Sequence, residues 1–365
     1  MAAAGFLSLL AVSSMPVAEL LLIGVAGAFL ATARCGNVLT PAASADINRV
    51  VYAVFTPALM LASLANTVTL RDVVAWWFMP VNIGIAFLAG GALGWVAVLL
   101  LRPPQQLRGL VIASCSAANF GNLLLVVIPA VCEEAGNPFG LAKTICTDHG
   151  LSYASFSMAL GGLYIWTHTH SIMKRSGEVY RRMRQADASS IAPAKNLWVK
   201  LKEGTHEMTQ ELTSPPTTGA ATGLVIGTVP WLRSVFVGAN APLRAVQDSL
   251  KLLGDGTIPC LMLILGGNLT KAVVAAIICV RYVILPLVGV AVVSAARDMG
   301  FLPPDPLYQY TLMMHFAVPP AMSIGIMSQL YDVGQEECSV ILLWTYLVAA
   351  LALTVWSTIF MWILQ

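Results

Sequence analysis

Apolar runs of about 20 residues recur along this whole chain, and they leave it few folds. A run of that length crosses the hydrocarbon core of a bilayer as a helix. Backbone polar groups find no water there, so a spanning segment is a helix or part of a closed barrel. The short alternating strands of a barrel are absent from this sequence. Only 10% of residues are charged, where a soluble domain carries roughly 25%. The expected class is an all-α polytopic membrane protein whose surroundings are the lipid bilayer. Spans are expected near 15–33, 44–66, 74–101, 108–132, 149–171, 216–237, 245–267, 271–296, 306–330 and 339–363, about ten helices. A net charge of +2 offers no footprint for nucleic acid.

Two of these runs match each other without a gap. Residues 46–66 read DINRVVYAVFTPALMLASLAN and residues 248–268 read DSLKLLGDGTIPCLMLILGGN. They share the opening Asp46 and Asp248, a base at Arg49 and Lys251, Pro-x-Leu-Met-Leu, and the closing Asn66 and Asn268. Shared composition explains the leucines but not Asp, Pro and Asn at fixed spacing, so an internal duplication is expected. The halves are residues 1–171 and 214–365, joined by the polar stretch 172–213. Loop bases concentrate on the face of that stretch, which places it in the cytosol and both termini opposite. Five spans per half invert the second repeat relative to the first, an arrangement of membrane carriers.

The fourth span contains Asn119-Phe120-Gly121-Asn122 in mid-membrane, and the ninth contains Pro319-Pro320. Asn and Gly tolerate non-helical backbone. Paired prolines remove two donors and push the preceding residue out of the α region. Extending the repeat puts Ala117–Asn119 opposite Pro319–Ala321, so both breaks occupy one place in the two repeats. Non-helical backbone at that depth is buried or lines a cavity. Two half-helix N-termini facing such a cavity suit an anion, above all a carboxylate.

Other polar residues are open to two readings. Asp255 shares a helix face with Asp248 and Lys251, and is either a coupling acid or part of an ion-pair cluster at the membrane edge. His315 precedes Pro319 by about one turn and is either a proton-coupling group or a hydrogen-bonded packing residue. Arg281 lies inside the eighth span, a position functional by default. The seven scattered cysteines read as small packing residues rather than a disulfide or metal framework. No nucleotide-binding, zinc-protease or nucleophile-elbow motif occurs. No cofactor, no metal and no enzymatic activity are therefore expected.

The stretches FTPALMLASLA, ASCSAANFGNLLLVVIPAVCEEAGNPFG, DGTIPCLMLILGGNL and MHFAVPPAMSIGIM resemble the PIN-LIKES proteins of plants, within the auxin efflux carrier superfamily. The resemblance covers both membrane halves. It implies ten helices in two inverted five-helix repeats, with fourth and ninth helices that cross where they unwind and bind auxin. It also implies residence in the endoplasmic reticulum membrane, movement of indole-3-acetate from cytosol to lumen, and damped nuclear auxin signalling. Carried onto this chain, the binding cluster falls at Asn119, Gly121, Asn122, Val318, Pro319 and Pro320. The indole ring is expected against Leu59, Met60, Leu261 and Met262, with Asn66 and Asn268 closing those spans. Asp255 and His315 are the candidate coupling groups. The expected partners are a small aromatic carboxylate and lipid, with a homodimer as an assembly left open. The competing readings are a sodium- or proton-coupled carrier of another organic anion, a non-transporting auxin receptor, and an intramembrane enzyme using His315 and Asp255.

Overall fold

Prolines set the shape of the long helices. In the computed structural model, which describes residues 22–24, 26–27, 29–30, 38–133, 139–186, 214–238, 241–257, 260 and 271–364, α1 spans 41–67. Thr40 caps it by accepting from the Ala43 N–H at 3.1 Å, and Pro41 sits in the first turn. A proline inside a helix lacks a donor and clashes with the carbonyl four residues back. The chain answers Pro57 with a π turn at Val51–Phe55, then resumes as Thr56–Thr67. The eighth helix repeats the device: a π turn at Val280–Ile284 precedes Pro286 in Leu285–Asp298. There the carbonyl of Tyr282 takes the indole N–H of Trp356 at 2.8 Å.

Apart from the short helices Leu70–Ala75 and Pro230–Phe236, the remaining elements follow in order: α2 (Phe78–Leu101), α3 (Gln105–Ser116), α4 (Asn122–Glu133), α5 (143–186, with a π turn at Ile165–Thr169), α6 (Pro215–Thr228), α7 (Arg244–Asp255), α8 (271–298), α9 (Pro306–Met314), α10 (Ser323–Leu330) and α11 (Gln335–Ile363). Among the described residues, four helices are long and apolar enough to cross a membrane: Ala42–Asn66, Phe78–Leu101, Lys271–Asp298 and Gln335–Ile363. Leu88, Trp95, Leu100 and Trp362 are exposed on these helices, where a bilayer rather than water would cover them. α5 runs to Ala186, past the end of its apolar stretch. Most of the expected first span, residues 187–213 of the linker, and Leu261, Met262 and Asn268 lie outside the described residues.

The helices form two groups. In the first, α6 and α7 pack on α1. Gly219, Gly223 and Gly227 make a stripe at four-residue spacing along α6. A Cβ at these positions would lie 2.6 Å from the Pro57 carbonyl oxygen, 2.7 Å from that of Leu61 and 2.6 Å from that of Val68. Such stripes let membrane helices approach backbone to backbone. Gln247 of α7 donates to the Ala62 carbonyl at 2.8 Å, and Arg233 donates to that of Asn66 at 2.9 Å. Gly223→Ala is expected to cost about 1–3 kcal/mol through overpacking. It should lower the thermal unfolding midpoint in detergent; an unchanged midpoint would show that α1 and α6 can separate freely.

The second group contains α2 through α5 and α8 through α11. It carries one correction to the sequence reading. Cys132 at the end of α4 and Cys146 in the first turns of α5 form a disulfide, with Cα atoms 5.6 Å apart. Nothing in their separation suggested a pair. The α4–α5 hairpin brings them within bonding distance. Cys115 and Cys338 are buried packing residues, as expected.

Candidate functional site: a crossover of two broken helices

Each of the two suspect spans is broken where the sequence placed the break. Helix α3 ends at Ser116, Ala117 is extended, and the chain resumes as α4 at Asn122. Helix α9 ends at Met314 and resumes as α10 at Ser323. The two interruptions pair as a minimal antiparallel ribbon, with Ala118 opposite Pro320. Asn119 N–H donates to the Pro319 carbonyl at 2.8 Å, and Ala321 N–H donates to that of Ala117 at 3.0 Å. Ala118 and Pro320 are thus the non-hydrogen-bonded pair, in which the missing N–H of Pro320 goes unused.

Two side chains from distant helices hold this ribbon. Arg281, only 1% exposed, reaches across from the π turn of α8. Its Nε donates to the Ser114 carbonyl at 3.0 Å, and its Nη2 donates to that of Ala117. These are terminal carbonyls of a half-helix, the negative end of its dipole, where a cation is favoured. Tyr346 of α11 donates to the Pro320 carbonyl at 3.0 Å and accepts from the Asn119 amide at 2.7 Å. The Asn119 Oδ1 accepts from Gly121 N–H at 3.3 Å. That leaves one N–H of the amide uncommitted by these bonds, since a carboxamide carries two.

A cavity of about 100 Å³ lies against the crossover. Asn119, Phe120 and Gly121 form one side, continued by Ala321, Met322, Ser323 and Ile326 at the start of α10. Thr56, Leu59 and Met60 of α1, with Thr257 just beyond α7, also line it. Met158, Gly161, Gly162, Ile165 and Trp166 of α5 complete it. Consecutive glycines there make room: a side chain at Gly161 would strike Phe120, and one at Gly162 would strike Met60. The cavity therefore lies between the two helix groups and touches the N-terminal ends of α4 and α10. None of these lining residues is an Asp or Glu. The site combines positive helix ends, amide donors and an apolar aromatic wall, which suits an aromatic anion.

The other expected residues fall differently. Leu59, Met60, Asn119 and Gly121 line the cavity, and Asn122 opens α4. Val318, Pro319 and Pro320 are buried and do not line the cavity, and Pro319 and Pro320 belong to the ribbon. Asn66 is exposed at the end of α1. Asp255 is exposed at the end of α7 and does not line the cavity. His315 is fully buried. Asn82 donates to its Nδ1 at 3.1 Å, and its Nε2 faces Ser157 Oγ at 2.8 Å. Because an amide N–H can only donate, Nδ1 is the acceptor and Nε2 carries the proton in a neutral ring. Ser157 in turn donates to the Tyr153 carbonyl at 2.8 Å. Sequence reasoning missed Tyr346, Asn82, Thr56, Thr257 and the α5 wall. Of these, only Gly161-Gly162 left a trace, as adjacent glycines within an apolar run.

A family described as membrane transport protein matches residues 12–357. Protein PIN-LIKES 7 of Arabidopsis thaliana is 51% identical over 99% of this chain and 100% of its own length. Protein PIN-LIKES 5 of the same plant is 49% identical over 99% of this chain and 100% of its own length. Protein PIN-LIKES 1 is 39% identical over 98% of this chain and 80% of its own length.

Proposed function

The chain belongs to the membrane transport protein family and, within it, to the PIN-LIKES proteins, and from that premise we propose that it is a secondary carrier of indole-3-acetate in the endoplasmic reticulum membrane. Its class is a membrane transporter, not an enzyme. The observation that carries the finer reading is the cavity between two helix groups, closed on one side by the paired breaks. A ligand bound there would contact both groups, and sliding one past the other would expose it to either side in turn. The acid group would accept from the free Asn119 amide N–H and from the N-terminal turns of α4 and α10. The ring would lie against Leu59, Met60 and Trp166.

Ten helices in two inverted repeats, 1–171 and 214–365 with a cytosolic 172–213 between them, remain the proposed topology. In it the Cys132–Cys146 end of α4 faces the lumen. Disulfides persist in such an oxidising compartment, which supports that orientation. The lack of carboxylates among the described residues lining the cavity disfavours a sodium site, which needs several oxygen ligands. With both ring nitrogens of His315 engaged and Asp255 away from the cavity, proton coupling through them lacks structural support. The test is uptake of radiolabelled indole-3-acetate into proteoliposomes. Saturable uptake above empty liposomes is expected. Binding without flux would instead make the protein a receptor, and neither binding nor flux would point to a different anion.

A further inference from the structure

Buried threonines in these helices send their hydroxyls back one turn. Thr311 donates to Leu307 at 2.9 Å, Thr345 to Ile341 at 2.7 Å and Thr354 to Ala350 at 2.8 Å. Thr56 and Thr257 do not. They are 3% and 5% exposed, yet neither Oγ1 has a hydrogen-bond partner. A local cause is visible at each. The π turn passes the Thr56 N–H to the Val51 carbonyl, five residues back, so the regular register is lost there. Thr257 follows the end of α7, where Gly256 N–H already turns to the Leu253 carbonyl at 3.3 Å. Thr169, in the π turn of α5, also lacks a partner but does not line the cavity.

Both Thr56 and Thr257 line the same cavity as the crossover residues Asn119 to Gly121. The backbones of α1 and α7 close together beside them, with Gly254 against Leu59 and Gly256 against Phe55. A buried hydroxyl without a partner is destabilising and calls for a reason. A threonine oxygen can accept as well as donate, whereas the crossover side offers mainly donors. We propose that Thr56 and Thr257 form a hydroxyl subsite that accepts the ring N–H of an aromatic carboxylate whose acid group is held at the crossover. The inference rests on the carboxylate reading above and adds what selects the ring. One ligand would then hydrogen-bond to both helix groups at once: to the second through its acid and to the first through its N–H. A site built for an N–H discriminates against an analogue lacking it, because its own acceptor is left unpaired.

The experiment compares binding of indole-3-acetate with naphthalene-1-acetate, a fused-ring acid without the N–H. Wild type should prefer the indole by about tenfold or more. In Thr56→Val/Thr257→Val that preference should fall to about one, through weaker indole binding with naphthalene binding retained. The serine double variant should keep the preference. Valine matches threonine in shape and removes the unpaired hydroxyls, so the variant should melt no lower than wild type. An unchanged preference in the valine variant, or equal loss of both ligands, would overturn the subsite. Equal binding of both ligands by wild type would overturn the subsite alone. Failure of wild type to bind either acid would overturn the carrier reading and the subsite together.

Discussion

Arg281→Met is expected to reduce indole-3-acetate uptake by at least about tenfold, with loss of a single buried hydrogen bond to a charged donor already sufficient for that factor. The guanidinium bridges the Ser114 and Ala117 carbonyls, and the Ala117 carbonyl also accepts from Ala321 N–H in the crossover. Removing the cation takes the Arg281 donor from the buried Ser114 carbonyl, at about 1–3 kcal/mol, while the Ala117 carbonyl keeps its bond from Ala321 N–H. Part of that loss is offset, because a buried charge is itself costly to desolvate. The effect should therefore fall more on the geometry of the crossover than on global stability. Arg281→Lys should recover little, since an ammonium is a point donor and cannot span two carbonyls as a planar fork does. Uptake kinetics and thermal unfolding, measured on the same preparations, separate the two effects. Wild-type uptake by the methionine variant would show that the crossover holds without Arg281.

Asn119→Ala should weaken indole-3-acetate binding by about 10- to 100-fold, the value of a hydrogen bond to a charged group. The amide has two tasks: it ties the crossover to Tyr346 at 2.7 Å and it faces the cavity. Tyr346→Phe distinguishes them. That change cuts the links to Asn119 and to the Pro320 carbonyl but removes nothing from the cavity wall. Direct contact of Asn119 with the ligand requires its alanine variant to bind more weakly than the Tyr346→Phe variant. Equal affinities for the two would make Asn119 a positioning residue only.

The sequence by itself determined the class, the positions of most helices and the two places where helices fail. Each of these depends on local chemistry. Apolar length sets a span, and Pro319-Pro320 and Asn119 to Asn122 deny the backbone its regular bonds wherever they sit. Comparing 46–66 with 248–268 then aligned the breaks. Tertiary structure decided what those breaks do. The carbonyl of Ala117 could have faced many donors, and only the fold brings it to Arg281 and Ala321. Similarly, His315 read as a possible proton carrier until Asn82 and Ser157 were placed on its two nitrogens. Pro319 and Pro320 read as ligand contacts, yet they pair with 117–119 and are not among the residues lining the cavity. Cys132 and Cys146 carried no signal until a hairpin brought them together. Sequence periodicity reports which groups lack partners or water. The identity of the partner comes from helices far away in the chain, because their packing alone fixes which donor meets which acceptor.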